Sequence, residues 1–402
     1  MTKGRRSGSL KITTRQYVQM LSPEVEGKLK HFHMHHCMQD YRCPMKPDDH
    51  GPSSLAEPII PYLPAVRARV YTGTRSSGSY CHHPQITKFK GRYFLSWSNG
   101  IRDEEAAGQR VLISSSKDGL SWSEPAVIVG GRNGTTLAHN SVGLSSTKDA
   151  LLAIVMEEAC ERDASVVGMR RIDPATQQVR VYRSTDGCKW KKAFDFTDNL
   201  RWFFEAPRLT DEGRLLCAAA MKDGPAILLW PGKELCKHPE VIRVPEPQGA
   251  VFPYGEGTWY KTDDGRIVVF WRDEGQSCRV WVNTSDDHGR TFTAPAISDI
   301  PDSMSRLSAG RLADGRYYLC NNAFPTLLNR MHLLLLLSDD GLVFDKAYVV
   351  ADDPTSQRLF GLLKADGYQY PCCFADRDKL LIAHSVNKED IECAVVADTT
   401  AI

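Results

Sequence analysis

Ser116-Lys117-Asp118-Gly119-Leu120-Ser121-Trp122 decides the fold, because the chain repeats this phrase four times. Ser184-Thr185-Asp186-Gly187-Cys188-Lys189-Trp190 is the second copy. Ser285-Asp286-Asp287-His288-Gly289-Arg290-Thr291-Phe292 is the third, one residue longer, and Ser338-Asp339-Asp340-Gly341-Leu342-Val343-Phe344 is the fourth. Each copy follows a run of strand-forming residues, at 111–114, 179–183, 279–284 and 333–337, and precedes another extended stretch. This is hairpin grammar: Ser and Asp side chains bind nearby backbone N–H groups, glycine takes the positive φ, and an aromatic side chain folds back over the turn. One such turn would carry little weight, but four at the same place in a strand-turn-strand pattern define a repeat architecture.

The phrase resembles the Asp-box of the sialidase-like β-propellers, and the resemblance covers roughly residues 66–402. It implies an all-β fold of four-stranded blades. The strand runs give six blades, or seven if residues 166–172 stand alone. The third blade, from about residue 204, has lost its Asp-box. The sixth lacks a fourth strand at the C-terminus, and residues 66–71 can supply it and leave no exposed edge. Residues 1–65 read as an irregular extension with one short helix at 16–30. His31, His33, His35, His36 and His50 then crowd near Cys37 and Cys43. These are metal-ligand types, but in no closed zinc spacing, so metal binding and plain irregular chain both stand.

Composition excludes some partners. The chain has 402 residues with a net charge of +1, so no global field draws it to nucleic acid or an anionic membrane. Its 12 cysteines form no CxxC pair, and Cys217, Cys320, Cys372 and Cys373 fall in strand runs, where small buried thiols are the expectation. The first ten residues are basic and polar with no apolar core, which reads as a cytoplasmic chain without a secretory signal.

In a propeller, the first strand of each blade starts at one mouth of the axial channel, so residues distant in sequence converge there. Glu256 and Arg272 hold such positions in the fourth blade, 16 residues apart. In sialidases a similarly spaced Glu polarises a tyrosine nucleophile while the Arg grips a substrate carboxylate. Arg330, before the third strand of the fifth blade, matches a second sialidase arginine. Tyr370, before Pro371 in the sixth blade, matches the nucleophile better than Tyr368. A phenol attacks poorly unless a carboxylate takes its proton. The acid/base aspartate maps to the loop Asn99–Glu105, with Asp103 the best match and Glu104 and Glu105 adjacent.

The first blade departs from the sialidase pattern. Where sialidases read Arg-Ile-Pro, this chain reads His82-His83-Pro84, so an arginine of the carboxylate clamp is replaced by histidine. Histidines serve related propellers, the α-L-rhamnosidases and the rhamnose–glucuronate and ulvan lyases, which act on uronate-containing glycans. His82 or His83 could move a proton beside Arg272 and Arg330. His139, Glu205 and Arg208 open the second and third blades and are expected at the same mouth.

Three functions follow: a sialidase-like exo-glycosidase on an acidic glycan; a histidine-dependent rhamnosidase or uronate lyase; and a non-catalytic glycan- or protein-binding propeller. The resemblance implies a glycan partner and no cofactor.

Overall fold

The structure, a computed structural model, describes residues 60–131, 136–160, 176–196, 199–245, 247 and 249–402, with the backbone of a two-residue strand at His33–Met34. The helix expected at 16–30, the side chains of the histidine-rich stretch and the candidate extra unit at 166–172 lie outside the described residues.

Six antiparallel sheets follow one another along the chain. The first blade is Tyr80–Phe89, Arg92–Gly100, Arg110–Ser116 and Ala126–Gly130. The second is Leu137–Ser146, Leu151–Ala159, Gln178–Ser184 and Lys191–Asp195. In the third, the inner strand is split into Leu200–Trp202 and Arg208–Leu209, both paired with Leu215–Met221. The continuous strand expected from 204 is interrupted because Pro207 cannot donate to the ladder. Gly224–Leu229 and Glu240–Arg243 complete that blade. The fourth is Gly257–Lys261, Ile267–Trp271, Arg279–Ser285 and Ala296–Pro301, and the fifth is Ser308–Arg311, Tyr317–Asn321, Leu333–Ser338 and Lys346–Ala351. The sixth is Tyr368–Asp376, Lys379–Val386 and Asp390–Val396, and its fourth strand is Ala65–Thr72, as the sequence requires.

The core is six separate apolar layers, one at each blade-to-blade contact. Strand alternation produces them. Leu216 and Ala218 face the fourth blade, while Leu215, Cys217 and Ala219 face the second. The layer holding Leu381, Ile391 and Cys393 with Ile86, Leu95 and Trp97 joins the sixth blade to the first and closes the ring.

The four repeated turns share one hydrogen-bond scheme. In the first, Ser116 Oγ accepts from Gly119 N (2.8 Å) and donates to Asp118 Oδ1 (2.8 Å), which accepts from Leu120 N and Ser121 N (both 2.8 Å). Ser184–Lys189, Ser285–Thr291 and Ser338–Val343 repeat it. These turns also dock onto the preceding blade. Gly187 has φ 76° and its backbone lies against the Phe94 ring, so near that a Cβ would meet Phe94 Cε1 at 2.3 Å. Among the described residues, no helix is long and apolar enough to cross a membrane.

Candidate active site

Two inner strands share an irregularity that aims the site. In the first blade the pairing slips by one residue between His82 and Gln85, and in the sixth between Gln369 and Cys372. Each slip contains a residue followed by proline, His83-Pro84 and Tyr370-Pro371. Proline removes a ladder donor, and the preceding residue takes a left-handed conformation, φ 55° at both His83 and Tyr370. Such a backbone is costly for a bulky residue, by about 1–3 kcal/mol, and recurs where a side chain must be aimed.

Tyr370 is buried among the groups expected beside it. Its Oη donates to Glu256 Oε1 (2.6 Å) and accepts from Arg272 Nη1 (2.6 Å). Arg272 Nη1 also pairs with Glu256 Oε2, and its Nη2 pairs with Glu274 Oε1 (2.6 Å). Arg330 lies over the Tyr370 ring, its Cζ 5.6 Å from the ring centre. Its Nη1 donates to Gln369 Oε1 (2.7 Å) and its Nη2 to the Met304 carbonyl (2.8 Å). Burial holds the Tyr370 phenol well above its ordinary value; Arg272 opposes that shift and the Glu256 charge adds to it. The phenol is therefore protonated at rest, with Glu256 placed to receive its proton.

The histidines complete the cluster. The His82 ring lies 4.1 Å from the Tyr370 ring and 4.5 Å from the His83 ring. His82 Nδ1 meets Ser385 Oγ at 2.8 Å, and His83 Nδ1 meets Ser98 Oγ at 3.1 Å. Burial, then the positive charge of Lys388, depresses the His82 pKa well below its usual value, so its imidazole is neutral near pH 7. The Phe204 ring, 5.3 Å from His83, is stacked on Trp202.

Asp103 is the expected residue that the geometry moves aside. Its carboxylate is held by the Arg102 guanidinium (2.8–3.1 Å) and by Leu362 N (2.7 Å). The neighbouring Glu104 reaches the cluster instead. It accepts from Tyr80 Oη (3.0 Å) and Lys388 Nζ (2.7 Å), and its Oε1 lies 3.8 Å from His83 Nε2. His139 is also displaced in role: its ring nitrogens meet Glu157 Oε2 (3.1 Å) and the Gln109 carbonyl (3.2 Å). Glu205 and Arg208 pair with each other at 2.7 Å further along the channel, and Arg208 also donates to the Ala309 carbonyl (2.8 Å). They line a cavity of about 560 Å³ with Gln85, Ser308, Cys372 and Cys373, beyond Tyr370 on the same inner strands.

Two cations escaped the sequence reading. Lys388 lies in the Asn387-Lys388 turn, where both residues have positive φ, and its ammonium reaches Glu104 and the Leu363 carbonyl (2.9 Å). Burial lowers its pKa to about 8, against the opposing pull of Glu104. Arg306 is 2 % exposed and lies two residues before the fifth blade's inner strand, the same kind of position that singled out Glu256.

Donor atoms of His82, His83 and Glu104 lie within 4.8 Å of one another. Lys388 already neutralises Glu104, and Lys388, Arg330 and Arg306 all act on His82 with like charge. A divalent ion there would be repelled, so no step is assigned to a metal.

The segment Arg358–Lys364 is drawn across one side of the cluster. The Glu389 carboxylate accepts from Arg358 N (2.9 Å) and Leu359 N (2.8 Å), and Lys364 Nζ lies 3.3 Å from it. Phe360 and Leu363 face outward from this segment, 77 % and 62 % exposed.

Known proteins bear on the scaffold. No curated protein matches the sequence. A solved protein of unknown function from Dyadobacter fermentans superposes with a TM-score of 0.62 at 17% identity, covering 82% of this chain and 97% of that one. A Trypanosoma rangeli sialidase solved with the inhibitor DANA gives a TM-score of 0.61 at 12% identity, covering 85% of this chain and 61% of that one. A variant of the NanB sialidase of Streptococcus pneumoniae gives 0.58 at 13% identity, covering 85% and 71%. This chain therefore spans about three fifths of the length of the Trypanosoma enzyme, and likeness at such identities speaks for the fold alone. The BNR repeat-like domain matches residues 91–382, most of the propeller. With six blades, four Asp-box turns and that match, the chain belongs to the BNR repeat-like family, within the sialidase-like β-propeller superfamily.

Proposed function

We propose that this protein is a carbohydrate-active enzyme, a sialidase-like exo-glycosidase that releases the terminal sugar of an acidic glycan. The observation that carries the reading is the Tyr370 hydroxyl held at 2.6 Å from both Glu256 Oε1 and Arg272 Nη1. In this reading Tyr370 Oη attacks the anomeric carbon while Glu256 takes its proton. The bond to the leaving oxygen breaks, and that oxygen takes a proton through Glu104, in the role that the sequence gives to Asp103, with the Lys388 ammonium at 2.7 Å resupplying the carboxylate. Water then attacks the same carbon and gives its proton back to the Glu104–Lys388 pair, the bond to Tyr370 breaks, and Glu256 returns its proton to the phenolate. Arg272 restrains the developing phenolate. Phe204 and Trp202 supply an apolar wall beside the sugar site. The excess of cations over unpaired carboxylates around Tyr370 favours an anionic substrate.

A second reading rests on a separate observation, the neutral His82 imidazole tilted against the Tyr370 ring at 4.1 Å with its Nε2 unpartnered. A neutral imidazole can take the proton next to a uronate carboxylate, leading to elimination. Product analysis separates the two. The protein is incubated with sialyllactose and with a rhamnose-capped glucuronate glycan, and products are read by mass and ultraviolet absorbance. Products heavier by water and without new absorbance support hydrolysis. An unsaturated, absorbing uronate replaces the tyrosine mechanism with the histidine one. Intact glycans in both tubes refute both enzymatic readings for these substrates and leave the binding propeller.

A further inference from the structure

The arginines expected to grip the substrate are already engaged. Arg272 spends Nη1 on Glu256 and Tyr370 and Nη2 on Glu274. Arg330 spends Nη1 on Gln369 and Nη2 on the Met304 carbonyl. Each retains only its Nε without a partner. A carboxylate is best held by two parallel N–H donors of one guanidinium, and neither of these side chains can offer a wholly unengaged pair of Nη atoms, since theirs hold Tyr370 and its neighbours.

Arg306 can. Its Nη1 and Nη2 are both buried and both lack a hydrogen-bond partner in the structure. A buried charge without a partner is costly, so a guanidinium kept in this state marks a place where an anion compensates it. Its position is fixed by the fold. Ser308, two residues on and the first residue of the inner strand, hydrogen-bonds Cys373 N (3.0 Å) in the sixth blade's inner strand. Met304, two residues earlier, accepts from Arg330 Nη2 (2.8 Å), so Arg306 lies in the segment between the Arg330 and Cys373 contacts, and its charge is felt by both His82 and Cys372. The hydroxyls of Ser303 and Ser305 are buried without partners in the same segment, as is His82 Nε2. The Ser303–Arg306 segment therefore presents several unpartnered donors.

We propose that Arg306, flanked by Ser303 and Ser305, is the carboxylate-binding residue of the substrate site, taking over from the fifth blade the grip that His82 cannot provide in the first. The ligand class is a sugar acid, a uronate or sialic acid, held through both carboxylate oxygens. This deepens the acidic-glycan reading and rests on it for the identity of the ligand, but its test is a binding measurement that needs no turnover.

The full chain is titrated calorimetrically with sodium glucuronate and N-acetylneuraminate, and with glucose, methyl glucuronate ester and glucose 6-sulfate as comparisons. The wild type binds at least one of the two free acids at least about tenfold more tightly than the ester or glucose, the difference expected for a bidentate charge-assisted pair. Arg306→Gln loses that preference and keeps its unfolding midpoint. If Arg306→Gln does not fold, Arg306→Lys serves: it keeps the charge but not the fork, and binds the free acid about three- to tenfold more weakly. Equal binding of acid and ester by the wild type, preference for the sulfate, no binding of either acid, or unchanged preference in both variants overturns the assignment. Turnover of an acidic glycan with unaltered preference in Arg306→Gln removes the subsite and leaves the enzymatic reading intact. Loss of acid binding in that variant, without turnover by the wild type, supports the subsite and counts against the enzyme.

Discussion

Replacing Glu256 by Gln tests the centre of the site with the least change of shape. The glutamine keeps an oxygen for Tyr370 Oη, but it has no charge for Arg272 and no basicity for the phenol. The structural cost follows from the contacts. Breaking a buried ion pair costs about 3–5 kcal/mol when the partner is stranded. Arg272 is not stranded, because Glu274 remains 2.6 Å from its Nη2, so the loss should be nearer 2–3 kcal/mol, between the stranded case and a simple hydrogen bond. In a domain of this size that lowers the unfolding midpoint by only about 3–6 °C, since each kcal/mol shifts a large domain by a few degrees at most. The catalytic cost is larger. Removing a positioned base lowers the rate by about 10²–10⁴-fold, equivalent to about 3–5 kcal/mol of barrier. The assay pairs thermal unfolding with the initial rate of sugar release from whichever acidic glycan the wild type cleaves. A folded Glu256→Gln protein that retains more than a third of the wild-type rate refutes the tyrosine–glutamate mechanism.

Other perturbations probe separate parts of the molecule. His82→Ala and His83→Ala, each folded by circular dichroism, should abolish the absorbing product if elimination occurs; full activity in both removes the histidine reading. Gly187→Ala puts a methyl group against Phe94 at a positive φ, and should destabilise by about 2–4 kcal/mol from overpacking and left-handed strain together, read as a fall in denaturant midpoint; an unchanged midpoint contradicts the docked-turn geometry. Burial raises the pKa of Asp302 and of Glu158 to about 7, so in the folded state both hold protons that the unfolded chain releases near pH 4. Stability from these two groups is greatest below about pH 4 and falls as pH rises to about 7. Asp302→Asn with Glu158→Gln should flatten that slope, and superimposable pH profiles of the variant and the wild type would show that neither group titrates as described.

The scaffold was legible because its signal is local and repeated. Ser116, Asp118 and Gly119 close one turn with their own atoms, and the chain prints that solution four times. Closure of the ring by residues near 66 was legible by elimination, since the last blade lacks a strand. The Tyr370–Glu256–Arg272 contacts were reached through resemblance, each residue sitting at a blade mouth. The rest of the site was not local. Asp103 and Glu104 are adjacent in sequence, and only the approach of Leu362 from one side and Lys388 from the other decides which carboxylate reaches the histidines. Pro207 split an inner strand that the apolar pattern runs straight through. Arg306 lies in Ser303-Met304-Ser305-Arg306, with no motif to mark it. Its meaning appears only when the hydrogen bonds of its neighbours are counted and their forks are found occupied.

The strand Ala65–Thr72 that completes the sixth blade also sets an order of events during synthesis. It leaves the ribosome before any complete blade, yet it finds its place only when Asp390–Val396, near the other end of the chain, has been made. Five blades can collapse while the ring stays open, and the interval is set by translation rather than by packing. Tyr370 belongs to that last blade. The candidate nucleophile is thus the last of the expected catalytic groups to be made, long after Glu256, Glu104 and the histidines. A chain stopped a few dozen residues early would carry most of the core and an unpaired edge, but no reacting centre.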